Sequence, residues 1–357
     1  MNERKIRIAL IGYGYVGQTF HAPLIDSTAG LELAVVSSSK PDKVHERFPA
    51  ATVATSPESA VTDSTVELVV IASPNTSHVP LATAALLAGK HVVVDKPFTI
   101  TTDEARELEE LAAEKKRLLS VFHDRRWDAD FLTLKQLIAT GKLGAINYFE
   151  SRIDRYRPQV RDRWRERAGL GSGLWYDLGP HLIDQAMQFF GPPETVQATI
   201  LRQRPGAQTD DYAHVVLGYG KASGDRADDL QVVLHASMLA SGGSPRFLVH
   251  GSTTSWLKHG IDVQESQLVR GMRPGDAGWG IDPVEGLLYT GSQGPGSAPE
   301  SVPNLPGSYE HFYAAIRDAI LGTGPNPVPA EQAILVMAVL ESAIESGRSG
   351  ARMQFQG

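Results

Sequence analysis

Over its first third the chain alternates short apolar runs, rich in β-branched residues, with longer stretches in which apolar positions recur every three to four residues. Residues 5–11, 31–38, 67–73, 91–95 and 118–123 read as strands, and 16–26, 79–88 and 102–116 as helices. Strands and helices alternating at this spacing predict parallel β-α-β units in a doubly wound sheet. The pattern changes at 124. A helix near 131–140 is followed by strand-like runs at 146–153, 196–201, 214–219, 231–237 and 246–250, which predict an α+β domain on a mostly antiparallel open sheet. The Gly-, Pro- and Ser-rich stretch 271–306 reads as an irregular surface loop, and helical spacing resumes at 309–321 and 331–346. The division expected is a first domain over 1–123 and a second over 124–357, with the helix at 331–346 packing back on the first.

Composition narrows the chemistry. At 357 residues, 42% hydrophobic and 21% charged, the chain is an ordinary soluble globular protein with room for two cores, and no apolar run is long enough to span a bilayer. There are no cysteines. Disulfides, thiolate catalysis and cysteine-bound zinc are therefore excluded, no metal site is expected, and any redox chemistry must come from a cofactor. The net charge is −7, and the basic residues are scattered except in the 152–167 region, so a small-molecule partner is expected rather than nucleic acid or a membrane. Arg4, Lys5 and Arg7 precede an apolar run that Gly12 and Gly14 interrupt at once, which does not resemble an export signal, and a cytoplasmic location is expected.

The first strand runs directly into Gly12-Tyr13-Gly14-Tyr15-Val16-Gly17, ahead of a helical stretch. This is the dinucleotide fingerprint of a Rossmann domain in its required context. The first glycine permits the turn, the second lets the backbone approach a pyrophosphate, the third allows helix and strand to pack closely, and the helix start offers free amides to the phosphates. About twenty residues further on, NAD-binding versions place an acidic side chain for the ribose 2′-hydroxyl. Here that position holds Ser37-Ser38-Ser39-Lys40. Hydroxyls and an ammonium accommodate a 2′-phosphate that a carboxylate would repel, so NADP is expected in preference to NAD.

Four segments in order, Gly12 to Gly17, Ser73-Pro74-Asn75 with His78, Asp95-Lys96-Pro97, and Gly171-Ser172-Gly173 followed by Asp177, Gly179, His181 and Asp184, together resemble the Gfo/Idh/MocA oxidoreductase family over essentially the whole chain. The resemblance implies a Rossmann domain plus a C-terminal α/β domain whose open sheet supports a homodimer or higher homo-oligomer. It also implies hydride transfer between a nicotinamide and the hydroxyl or carbonyl carbon of a sugar, cyclitol or related molecule. By the same resemblance Lys96, Asp177 and His181 are catalytic, while Ser73, Pro74, Asn75, His78, Asp95 and Lys96 lie along the cofactor. The family's usual Glu-Lys-Pro is Asp95-Lys96-Pro97 here, and its common Asn is replaced by Asp124 in His123-Asp124-Arg125-Arg126-Trp127.

The residues themselves agree with these roles. Lys96 ends a short apolar strand, at the sheet edge where open α/β sheets bind ligands. Asp177, His181 and Asp184 are spaced four and three apart, so a helix sets them along one face. Histidine, with a pKa near neutrality, can take and return a hydroxyl proton, and a lysine ammonium can stabilise developing alkoxide charge. Ser73 to His78 serves equally well as a plain turn and helix cap. Arg155, Arg163, Trp164 and Arg165 read as flanking the site or as a solvated basic loop, and His21 as packing. Two other activities fit the same pattern: an NAD-dependent glycosidase that oxidises its substrate transiently, and a nucleotide sensor without turnover.

Overall fold

A computed structural model describes residues 4–221, 223–290 and 298–355. The chain forms two compact units. One runs to Trp127 and takes in Gln264–Gly280 and Ser308–Ile334; the other comprises Asp128–Val263, Ile281–Gly307 and the chain from Leu335 on. The boundary is thus not a single cut near 123, because two later segments return to the first unit. Their aromatic residues explain it: Phe312 packs edge-on against Phe122 at 4.9 Å, and Tyr309 lies 6.1 Å from Phe20.

The first unit is built on six strands, β1 (Ile6–Ile11), β2 (Leu31–Ser37), β3 (Thr52–Ala54), β4 (Leu68–Ile71), β5 (His91–Asp95) and β6 (Leu119–Phe122), all parallel in the order β3-β2-β1-β4-β5-β6. This is the doubly wound Rossmann order, with its crossover point between β1 and β4. Both faces are covered, so β4 and β6 are buried along their whole length; β4 reads in sequence as an unbroken apolar run, and the one polar side chain of β6, Ser120, donates to the Val328 carbonyl at 3.0 Å. Helices α1 (Ala22–Asp26), α2 (Pro41–His45), α3 (Pro57–Thr62), α4 (His78–Leu87) and α5 (Thr102–Lys115) make the crossovers, and α8 (Gln264–Val269) and α9 (Glu310–Ile320) complete the unit. The first crossover departs from the single helix expected over 16–26. Residues Gly17–His21 form a π-helical turn, and the Ala22 amide bonds the Gly17 carbonyl five residues back. Pro23, which lacks an N–H and clashes with a carbonyl one turn earlier, accounts for the widened turn.

The second unit is a nine-stranded sheet of β7 (Ile146–Asp154), β8 (Thr195–Leu201), β9 (Tyr212–Gly218), β10 (Arg226–Ser237), β11 (Phe247–Gly251), β12 (Thr254–Lys258), β13 (Gly286–Thr290), β14 (Glu300–Val302) and β15 (Met353–Gln354), in the order β14-β13-β12-β11-β7-β10-β9-β8-β15. Only the central β7–β10 pair is parallel. Strands β13 and β14 correct the reading of 271–306 as wholly irregular, while 291–297 of that stretch lie outside the described residues. Helix α7 (Leu174–Phe190) packs on β7, β9 and β10, and α6 (Ala129–Ala139) joins it through Phe131 and Phe189, 4.8 Å apart. The chain passes between the units within α10 (Ala330–Ser349). Among the described residues no helix is long and apolar enough to cross a membrane.

Candidate active site

In the first unit the site is laid out along the carboxyl ends of the strands. Gly12 has φ +97°, and a side chain there would run into the Ala72 carbonyl at the end of β4; one at Gly17 would run into the carbonyl of Gly12. Those two glycines close the turn on itself. Gly14 differs: a Cβ would meet nothing within 4 Å, and the residue is exposed. The turn is therefore tight on the protein side and open where a phosphate would approach, the arrangement that a dinucleotide cradle requires. Tyr13 is buried, Val16 is half-buried, and the exposed Tyr15 donates a 2.8 Å hydrogen bond to Glu265 of α8.

At the end of β2 Ser37 is buried, Ser38 half-buried, and Ser39 and Lys40 exposed. The Ser38 hydroxyl accepts the Lys40 amide at 3.0 Å, which leaves its own proton to donate. After β4, Ser73 and Ser77 share a 2.6 Å hydroxyl contact, Pro74 is exposed and Asn75 is buried. His78 is wholly buried. Its Nδ1 lies 3.0 Å from the Pro97 carbonyl and its Nε2 3.0 Å from the Ser73 carbonyl, so the ring ties the turn after β4 to the segment that follows Lys96. Of the residues expected along the cofactor, this one holds other parts of the site in place with no surface of its own to offer.

Lys96, half-buried, follows directly on β5. Beside it Asp95 is buried, and burial alone would raise its pKa; His21, Lys96 and His78 overcome that and hold the carboxyl below the usual range. His21 Nε2 stands 3.9 Å from Asp95 Oδ1, too far for a hydrogen bond, while Nδ1 meets the Tyr313 hydroxyl at 2.6 Å. Burial and then the charge of Asp95 hold the Tyr313 hydroxyl well above its ordinary pKa. A buried Tyr313–His21–Asp95 row thus ends on the residue that precedes the lysine. Its members are far apart in sequence, and His21 in particular carries no motif.

In the second unit α7 carries Asp177, His181 and Asp184, with His181 6% and Asp184 2% exposed. Asp177 lies between two guanidiniums, Arg165 Nε at 3.5 Å and Arg155 Nη1 at 3.9 Å. The helix is anchored at its middle by buried Arg246, which donates to Gln185 and to Ser151 of β7, each at 2.5 Å. At its start Gly173, φ +107°, is pressed against Asp210, whose Oδ2 accepts the Trp175 amide at 2.6 Å. Asp210 closes the free amides of the first turn that carries Asp177.

Burial pushes the Asp210 carboxyl up to about 6, against the lowering effect of its backbone hydrogen bonds. The unfolded value lies lower, so the ionised form costs stability: the cost is absent below the unfolded pKa and complete above about pH 6. Asp210→Asn keeps an acceptor without the charge. It is expected to be more stable than the parent chain at pH 8, by about 1–3 kcal/mol at 1.36 kcal/mol per pKa unit, with the difference vanishing near pH 4. Urea melts at the two pH values measure it; a variant less stable at pH 8 would show that the charge itself caps the helix.

Matches to known proteins cover both units. An oxidoreductase-family model described as an NAD-binding Rossmann fold matches residues 6–123, and its partner model, a C-terminal alpha/beta domain, matches 135–355. The chain belongs to the Gfo/Idh/MocA oxidoreductase family. Among its relatives, the uncharacterized oxidoreductase YdgJ of Escherichia coli is 52% identical over 348 residues, 98% of either chain. The scyllo-inositol 2-dehydrogenase (NADP(+)) IolW of Bacillus subtilis is 40% identical over 345 residues, 96% of this chain and 94% of IolW. The crystal structure of a putative oxidoreductase from Klebsiella pneumoniae, 50% identical, superposes with a TM-score of 0.90 over 99% of this chain and 96% of its own. This Gfo/Idh/MocA member is thus an oxidoreductase with an NAD(P)-binding Rossmann domain.

Proposed function

We propose that the protein is an NADP-preferring dehydrogenase or reductase acting on a hydroxyl or carbonyl carbon of a polyol-like small molecule. The observation that carries this reading is the α7 face, on which buried His181 follows Asp177 by one turn. The 40% identity to IolW, a dehydrogenase of a cyclitol, supports the substrate class. The dinucleotide, whose nicotinamide supplies the hydride chemistry when bound, would be held by its pyrophosphate on the amides around Gly14 and by its phosphorylated ribose on the turn after β2. His181 takes the proton of the reacting hydroxyl in oxidation and returns it in reduction. Asp177, kept between Arg155 and Arg165, positions the hydroxyls of the substrate, and the Lys96 ammonium stabilises negative charge as it develops on the oxygen. A screen of sugars, cyclitols and small carbonyl compounds with both nicotinamide cofactors, followed at the nicotinamide absorbance, tests the reading. Sugar release without net cofactor turnover would replace it with a glycosidase.

The cofactor preference rests on the turn after β2, where hydroxyls and the exposed Lys40 stand in place of a carboxylate. Ser38→Asp puts a charge next to the phosphate position on a half-buried residue, avoiding the desolvation that buried Ser37 would impose. The Kd ratio of NADH to NADPH is expected to fall by at least about tenfold, one carboxylate–phosphate repulsion reduced by solvent. Nucleotide fluorescence titration reads it, and equal affinities in the parent chain would refute the preference.

A further inference from the structure

We infer that the substrate carries an anionic group, a carboxylate or a phosphate, which is bound by Arg157. This builds on the reading of the Asp177–His181 face as the place of reaction. Residues 155–167 hold six arginines against two acids, Asp162 and Glu166, in a chain whose net charge is −7. Most of the six have partners. Arg163 bonds Glu166 at 2.7 Å, Arg167 bonds Asp162 at 2.6 Å, and Arg155 and Arg165 face Asp177.

Of the other two, Arg161 is exposed to solvent, which leaves Arg157. It is half-buried, and its guanidinium makes no ion pair or hydrogen bond among the described residues. Burial, then the charges of Arg155, Arg161 and Arg163, pull its pKa below the ordinary arginine value, with Asp177 opposing them. Its backbone is pinned at both ends: the amide donates to the Met238 carbonyl at 2.7 Å, and the carbonyl accepts from buried Arg204 at 3.1 Å. A desolvated cation among like charges is unfavourable unless something compensates it. A fixed planar fork with five donors matches a carboxylate or phosphate edge on. Asp177 does not repel such a group, because Arg155 and Arg165 already offset its charge.

Calorimetric titration of the NADP+-saturated protein with galacturonate, glucose 6-phosphate and glucose tests the inference and separates the two anions. One of the anions is expected to bind at least tenfold more tightly than glucose at low ionic strength, and to lose most of that advantage in 0.5 M NaCl. Arg157→Gln should abolish the preference and Arg157→Lys keep part of it, with nucleotide affinity showing that both variants are folded. Glucose binding as tightly as both anions, no binding of any probe, or a preference that survives in Arg157→Gln would overturn the inference. Binding heat needs no chemistry, so an anion that binds without nicotinamide turnover leaves the anion site standing and removes the hydride-transfer reading instead.

Discussion

His181→Ala is expected to lower turnover by roughly a hundredfold or more while leaving nucleotide affinity unchanged. Loss of a general acid–base group typically costs about two to four orders of magnitude. The fold should tolerate the change, because His181 sits in a helix that is anchored elsewhere, by Arg246 on Gln185 and by Asp210 on the Trp175 amide. Nucleotide affinity should hold because the glycine turn draws its shape from Gly12, Gly17 and the Ala72 carbonyl. Lys96→Met supplies the comparison. If the two side chains serve one oxygen, the double variant loses less than the two single losses combined, whereas independent roles add. Steady-state kinetics on the three variants, with NADPH titration beside them, decides. Near-normal turnover in a folded, nucleotide-binding His181→Ala would return the histidine to a structural role.

Much of this arrangement is legible in the sequence because it depends on local periodicity. A strand buried on both faces is apolar over most of its length, which is why β4 and the Val92–Val94 run of β5 stand out, and a four-residue spacing puts Asp177 and His181 on one face wherever the helix packs. The rest depends on partners far along the chain. Strand β3 is three residues long at a sheet edge, and β13 lies in a Gly- and Pro-rich stretch whose strand character comes from pairing with β12. Helix α9 has the same apolar stripe whether it joins the first unit or the second; only Phe122 and His21 across from it reveal which. His78 stands in a motif, yet nothing in the motif says that its ring is wholly buried with both nitrogens against backbone carbonyls. Arg204, between two strands in a polar turn, has no sequence mark at all.

That unmarked arginine carries the largest expected stability effect. Arg204 is 4% exposed; Nε meets Asp211 at 3.0 Å, Nη2 meets Glu166 at 3.0 Å, and Nη1 donates to the carbonyls of Arg157 and Gln159 at 3.1 and 3.3 Å. Arg204→Met would leave two carboxylates, Glu166 and Asp211, buried without their shared cation, and breaking one partner of such a group typically costs about 3–5 kcal/mol. Arg204→Lys should recover only part, since a single ammonium cannot span two acids and two carbonyls. The pH dependence carries a second signature. Burial raises the Glu166 pKa, but the Arg161 amide and the Arg163 and Arg204 guanidiniums overcome it and hold the carboxyl below its ordinary value. A depressed folded pKa contributes stability above the unfolded pKa and loses it as pH falls through the folded one. The parent chain should therefore lose this contribution only in acid, below about pH 4, whereas Arg204→Met keeps the larger share from the Arg161 amide and Arg163 but lacks the Arg204 share already at pH 7. Denaturant melts from pH 3 to pH 8 should show the two curves converging in acid. A constant gap across that range would mean that Arg204 stabilises the protein through its packing and its carbonyl contacts rather than through charge.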